Sequence, residues 1–267
     1  MEKNDKIVFF DIDGTLLDHD KKLPESTKQA VKELKERGVY VAIATGRAPF
    51  MFEDLRNELD IHSFVSFNGQ YVVFEGEVVY KNPLNVEKMH ELRRNSEKLG
   101  HPLVYLNHET MKANVEDHPF IHESMGSLKF THPEFGPSLL DETEIYQALL
   151  FIEDEKQQSY VDAYNDFHFI RWHQYSTDIL PRGGSKAIGI QRMLERLPFK
   201  KENVFAFGDG LNDVEMIDYV GTGVAMGNAH PELLKVANHV TKDVAEDGIM
   251  HGLELVGLLN NPIKSKA

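Results

Sequence analysis

The chain has 267 residues, with 29 Lys and Arg set against 43 Asp and Glu, for a net charge of −14 at pH 7. A surplus of acid of that size argues against wrapping a nucleic-acid backbone or lying on an anionic membrane. The absence of cysteine excludes disulfides, thiolate metal sites and a thiol nucleophile, and is consistent with a reducing compartment.

The length allows one large or two ordinary domains, and two are expected. No apolar stretch approaches the roughly 20 residues of a membrane helix, and Met1-Glu2-Lys3-Asn4-Asp5 does not read as a secretory signal. A cytoplasmic protein is the expectation. Neither an internal repeat nor a low-complexity tract interrupts the chain.

Ile7-Val8-Phe9-Phe10 is a short apolar run that meets Asp11-Ile12-Asp13-Gly14-Thr15, which predicts a buried parallel strand ending in an acidic loop. If the extended backbone continues, Asp11 and Asp13 project to one side and Ile12 to the other. Two adjacent carboxylates repel each other unless one binds a proton or both face a cation such as Mg2+, so the pair points to phosphoryl chemistry. An Asp-rich turn is the plainer alternative. A calcium loop is excluded, because its sixth and twelfth positions counted from Asp11 are Leu16 and Lys22, not Gly and Glu.

Pro24-Glu25-Ser26 opens a helical pattern with Ala30, Val31 and Leu34 on one face, closed by Gly38. Val39 to Ala44 then reads as a strand, completing a β-α-β unit that brings Thr45-Gly46-Arg47 to the same sheet edge as Asp11. The Thr45 hydroxyl and Gly46 amide can there donate to a phosphoryl oxygen, or cap an ordinary helix. Met51 to Leu59 reads as a helix, Phe64 to Phe67 as a strand ending at Asn68-Gly69, and Gln70 to Tyr80 as a hairpin.

The parallel pattern stops at Asn82-Pro83 and resumes after Leu180-Pro181. Residues 1–82 and 182–267 are therefore expected to form a core, and 83–181 an inserted domain. Within the insertion Val86 to Leu99 reads as helix, and Leu103 to Leu106 and Ala148 to Ile152 as strands. Eight of the 13 histidines fall here, at 90, 101, 108, 118, 122, 132, 168 and 173, without metal-ligand spacing; a solvated surface is the favoured reading. The aromatic segment Phe167 to Tyr175 predicts a packed strand, with Phe167, Phe169, Arg171, His173 and Tyr175 on one side.

Gly183-Gly184-Ser185-Lys186 reads as a loop feeding a helix, with Lys186 a candidate phosphate cation. No P-loop exists, since Gly-Lys-Ser and Gly-Lys-Thr are absent. Val204 to Phe207 is another apolar strand, ending in Gly208-Asp209-Gly210-Leu211-Asn212-Asp213. Gly221 to Gly227 misses the dinucleotide fingerprint, its third glycine lying one place late.

Taken in order, Asp11-Ile12-Asp13-Gly14-Thr15, Thr45-Gly46-Arg47, Lys186 and Gly208-Asp209-Gly210-Leu211-Asn212-Asp213 resemble the four motifs of the haloacid-dehalogenase-like (HAD) phosphatases. With Phe67-Asn68-Gly69, Gly183-Gly184-Ser185-Lys186 and Met226-Gly227-Asn228-Ala229, the chain resembles the Cof-type subfamily with its large α/β (type IIB) cap.

The resemblance implies an α/β fold: a Rossmann-like parallel-sheet core with helices on both faces and an inserted α+β cap. It implies Asp11 as nucleophile, forming an aspartyl-phosphate, and Asp13 as general acid and then base. Ile12, Thr45, Gly46, Lys186 and Asn212 would bind the phosphate. Mg2+ would be held by Asp11, the Asp13 backbone carbonyl and Asp209, with Asp213 in support.

The expected substrate is a small phosphorylated metabolite, such as a sugar phosphate or a cofactor phosphate monoester. A phosphotransferase or sugar-phosphate mutase, or an idle phospho-acceptor regulator, are the alternatives on the same residues.

Overall fold

The computed structural model describes Asp5 to Leu259. Its strands begin with β1 (Ile7–Phe10), β2 (Tyr40–Ala44), β3 (Ser63–Ser66), β4 (Tyr71–Phe74) and β5 (Glu77–Lys81). Helices α1 (Glu25–Glu36) and α2 (Glu53–Glu58) lie between the first three. The helix expected from Met51 is a 3-10 turn over Pro49–Phe52 that passes into α2.

The insertion follows with α3 (Val86–Lys98), β6 (Leu103–Leu106), β7 (Met111–Ala113), α4 (Pro119–Ser127), α5 (Leu139–Glu142), β8 (Gln147–Phe151), α6 (Asp154–Ala163), β9 (Phe167–His173) and β10 (Ser176–Pro181). The last part carries α7 (Lys186–Leu194), β11 (Val204–Gly208), α8 (Val214–Tyr219), β12 (Thr222–Ala225), α9 (Pro231–Leu234), β13 (His239–Val240) and α10 (Gly248–Leu255). The described residues divide into two compact units: residues 5–47, 52–80 and 185–259, and residues 48–51 with 81–184.

In the first unit eight strands form one sheet in the order β13-β12-β11-β1-β2-β3-β4-β5. The pairs from β13 to β3 are parallel, whereas β4 runs antiparallel to β3 and turns into β5 at Glu75-Gly76, both at positive φ. The core is thus a parallel sheet with an antiparallel hairpin at one edge, and the asymmetry follows from connection length. Parallel neighbours need helical crossovers, while a two-residue turn makes a hairpin.

All four β1 residues are buried because both faces of this central strand are covered. Ile7 and Phe9 join Ile190 and Met193 of α7, Met216 and Ile217 of α8, and Leu233 of α9 in one apolar cluster. Alternation sends Val8 and Phe10 to the opposite face, where the Phe10 and Phe207 rings lie 5.1 Å apart. Gly252 brings α10 onto Phe207 there: a Cβ at Gly252 would meet the ring at 2.5 Å. Helix α1 packs on this side against α10 and buries Thr27, Ala30, Val31 and Leu34.

The second unit is a five-stranded antiparallel sheet in the order β7-β6-β8-β10-β9. Met89 and Leu92 of α3 and Tyr160 of α6 pack on Leu103, Tyr105, Ala148, Leu150, Phe167 and Ile179. Phe167 and Phe169 of the aromatic segment face this core, so the segment is a packed strand. Histidines of this unit bond to its other side chains, as in His101 Nδ1 to Tyr160 Oη at 2.8 Å and His122 Nε2 to Asp117 Oδ1 at 2.5 Å. Among the described residues no histidine belongs to a cluster of three metal-ligating groups, and no helix is long and apolar enough to cross a membrane.

Candidate active site

Three adjacent parallel strands, β11, β1 and β2, end level with one another: Phe10 pairs with both Ile43 and Phe207. The residues that follow them are Asp209, Asp11 and Thr45, at the carboxyl edge where an open α/β sheet presents its binding groups. Asp11 continues the ladder by one bond, its N–H donating to Phe207 O at 3.0 Å. The strand then ends, and residues 11–17 close a compact loop through Leu16 N–H to Asp11 O and Leu17 N–H to Ile12 O. Ile12 is fully buried, its side chain part of the apolar core.

Asp11 is 7% exposed. Its Oδ1 accepts from Lys186 Nζ at 2.5 Å, and the same ammonium donates to Asp213 Oδ1 at 2.6 Å. Lys186 opens α7, whose first turn is capped by Ser185 Oγ accepting from Ile188 N–H at 3.3 Å. Asp213 has no free oxygen, since its Oδ2 accepts from the N–H groups of Asp209 and Gly210 at 3.0 and 2.9 Å. It braces the loop after β11 and fixes the lysine.

Asp209 is held by two residues whose roles the sequence does not mark. Thr15 Oγ1 donates to its Oδ1 at 3.0 Å, and Asn228 Nδ2 lies 3.4 Å from its Oδ2 while bonding Gly14 O at 2.9 Å. Gly14 sits at φ 84°, and a Cβ there would collide with the Asp209 carboxylate. Thr15 closes the first motif and Asn228 lies in the Met226–Ala229 run, so the residues were visible though their partner was not.

Ligand oxygens of Asp11, Asp209 and Asp213 lie within 4.8 Å of one another. Burial pushes the Asp11 carboxyl up to about 7 against the pull of Lys186, and Asp213 and Asp209 push the same way. Burial likewise raises Asp209 to about 6. Burial opposes a charge on Lys186, yet its two carboxylate partners hold it above the ordinary lysine value. Oxygen-only donors that bind protons this readily fit a hard divalent cation, which relieves the same repulsion.

Asp13 faces elsewhere. Arg47 and Lys21 Nζ, the latter at 2.7 Å, both donate to its carboxylate and, against the opposing effect of burial, hold it below the usual range. The sequence marks neither partner: Arg47 lies within the second motif, while nothing distinguishes Lys21 from a surface lysine.

Thr45 is 2% exposed, and its Oγ1 accepts from Arg47 N–H at 3.1 Å, leaving its hydroxyl hydrogen to donate. Gly46 lies under the Asn68 carboxamide, and Asn68 Oδ1 accepts from Asn212 Nδ2 at 3.2 Å. The four motifs thus meet at one end of the sheet, in two linked groups: Asp11, Lys186, Asp213 and Asp209, and beside them Thr45, Gly46 and Asn212.

Two layers of similarity coincide with this geometry. The profile of the haloacid dehalogenase-like hydrolase family matches residues 8–253. The chain belongs to that family, as a phosphatase of its Cof-type, subclass IIB branch. It is 52% identical over 254 residues to "Putative phosphatase YkrA" of Bacillus subtilis (strain 168), covering 95% of this chain and 98% of that one. A hypothetical protein from Geobacillus kaustophilus HTA426 superposes with a TM-score of 0.93 at 60% identity, over 95% of this chain and 99% of that one. The HAD subclass IIB sugar phosphatase BT4131 superposes with a TM-score of 0.79 at 26% identity, over 95% and 100%.

Proposed function

We propose that the protein is a Mg2+-dependent phosphatase of small phosphorylated metabolites, sugar phosphates foremost, working through an aspartyl-phosphate on Asp11. One observation carries the reading: a buried carboxylate at the end of the central strand is gripped by Lys186 with an Asp209 oxygen within 4.8 Å, and burial pushes its pKa up to about 7. A carboxylate kept partly protonated is a poor nucleophile. A divalent ion on Asp11, Asp209 and the Asp13 carbonyl would lower its pKa and offset the negative charge of an incoming phosphate.

In the first step an Asp11 oxygen bonds to phosphorus as the bond to the leaving oxygen breaks. Asp13 gives its proton to that oxygen. In the second step Asp13 takes a proton from water, the water oxygen bonds to phosphorus, and the bond to Asp11 breaks to release inorganic phosphate. Lys186 balances charge on Asp11 and on the transferred group. The Thr45 hydroxyl, the Gly46 N–H and the Asn212 amide donate to its oxygens, together with main-chain donors at Ile12.

The pairing of Asp13 with Arg47 and Lys21 suits the second step, in which the residue must be a carboxylate. The acid role needs a proton on Asp13, and therefore a loosening of that grip when substrate binds. The likeness to BT4131, a sugar phosphatase, supports sugar phosphates as the first substrates to try.

The test is phosphate release across a panel of sugar and cofactor monoesters, with and without chelator. Turnover that needs Mg2+, with radioactive phosphate trapped on Asp11 after rapid acid quench, is the expected result. Metal-indifferent turnover, or isomerised sugar phosphate without phosphate release, would overturn it.

A further inference from the structure

Phe67, Asn68 and Gly69 take positive φ in succession, at 50°, 51° and 99°. Glycine does so freely and asparagine tolerates it, but a buried phenylalanine does so only where its surroundings impose it. Two backbone bonds impose it here, Phe67 N–H to Arg47 O at 3.2 Å and Asn68 N–H to Thr45 O at 3.0 Å. The turn is thereby folded back onto the loop after β2. On its other side a Cβ at Gly69 would collide with Ser185 O, immediately before Lys186.

The consequence falls on the Asn68 side chain. A Cβ on Gly46 would stand 3.0 Å from Asn68 Nδ2 and 3.2 Å from its Oδ1, so the carboxamide lies against the bare Cα of Gly46. Its Oδ1 accepts from Asn212 Nδ2 at 3.2 Å. One side chain therefore spans the loops that follow β2 and β11. The Asn212 side chain is exposed and makes no other hydrogen bond among the described residues.

We propose that Asn68 is a positioning residue of the phosphate site, fixing the Asn212 carboxamide beside Gly46 before the anion arrives. An exposed asparagine without that partner would spread over several rotamers, and ordering it would cost affinity on every binding event. The inference rests on the reading of Asn212 as a phosphate ligand given above. A turn with only a structural role needs the backbone at position 68 and not the amide, and glycine would serve that backbone better.

This contrast sets the experiment: calorimetric titration of inorganic phosphate, with Mg2+ present, into the native protein, Asn68→Gly, Asn212→Ala and the double variant, with thermal melts of each. Asn68→Gly is expected to melt no lower than the native protein and to raise the phosphate Kd about 5- to 10-fold. Its loss should vanish in the Asn212→Ala background, the double variant matching Asn212→Ala alone within about twofold. The KM for p-nitrophenyl phosphate should rise in step with the Kd, with a smaller change in kcat.

Unchanged phosphate binding in Asn68→Gly would overturn the inference, as would losses that simply multiply in the double variant or a native protein that binds no phosphate. A native protein that binds phosphate but turns nothing over would instead end the phosphatase reading, while the coupling of Asn68 to Asn212 would still be decided by the Kd values.

Discussion

The Arg47 guanidinium grips both oxygens of the Asp13 carboxylate, Nε to Oδ2 at 2.9 Å and Nη2 to Oδ1 at 2.6 Å. The two side chains are 29% and 37% exposed, so the pair contributes about 1 kcal/mol or less to stability. Its effect belongs to the rate. Arg47→Ala is expected to leave the melting temperature nearly unchanged and to cut kcat roughly 10- to 100-fold through the second step, where Asp13 must be a carboxylate held in place, so that an alkyl phosphate and p-nitrophenyl phosphate lose rate alike. Removing the cation raises the Asp13 pKa, so the acidic limb of kcat, below which the carboxylate the second step needs is protonated, should move to higher pH. Arg47→Lys restores a charge but not the two-pronged grip, and should recover only part of the rate. A kcat–pH profile that does not move would remove Arg47 from the acid–base step.

For Asp11 the expected outcome is opposite for activity and stability. Asp11→Asn should lower turnover by about 10³-fold or more, because an amide cannot form the acyl phosphate. The folded-state pKa near 7 lies above the unfolded carboxylate value, so this group favours folding fully below the unfolded pKa, and that contribution is lost as pH rises through 7. In metal-free buffer at pH 8 the variant should therefore melt higher than the native protein, and the gain should shrink toward pH 5. Melting curves over that range check the sign; a variant less stable at pH 8 would contradict it.

Mg2+ affinity should depend on pH through the same carboxyls. With Asp11 near 7 and Asp209 near 6, a binding cation displaces protons once pH falls below these values. Calorimetry in buffers of different ionisation enthalpy should record proton release at pH 6.5 and almost none at pH 8. The association constant should fall about tenfold per pH unit between 7 and 6, and more steeply below. A constant affinity from pH 8 to 5.5 would rule out ion binding at these groups.

Gly14 and Gly76 form a matched pair, at φ 84° and 85°. A Cβ at Gly14 would strike Asp209, whereas a Cβ at Gly76 meets nothing within 4 Å. Both alanine variants bear the backbone cost of the left-handed region, about 1–2 kcal/mol. Gly14→Ala alone should also displace Asp209 and weaken Mg2+ binding, by at least about tenfold. Equal Mg2+ affinities in the two variants would show that Asp209 does not need the close approach.

The strands that carry the site were legible because they are buried on both faces. Ile7–Phe10, Tyr40–Ala44 and Val204–Gly208 read as unbroken apolar runs, and a polar residue after each marks where the sheet ends. Strand β12 was not legible in the same way, since Thr222-Gly223-Val224-Ala225 is half small residues. A Cβ at Gly223 would collide with Ile217 O, so that glycine is set by a neighbouring helix and not by strand propensity. The helix expected over Met51 to Leu59 begins as a 3-10 turn, a distinction that apolar spacing does not encode.

By itself the sequence determined the donor chemistry: carboxylates, one lysine, a threonine and an asparagine amide, placed after apolar runs that must become strands. Spacing along a chain reports which residues share an edge. Only the tertiary structure decided how those groups act on one another. Lys186 reaches Asp11 across 175 positions and Thr15 reaches Asp209 across 194, and the proton affinity of each carboxylate is set by that burial and those partners. Asp11 and Asp13 are two residues apart and identical in kind, yet burial raises one while Arg47 and Lys21 lower the other. Charge state is a property of the surroundings, and the surroundings exist only once the chain has folded.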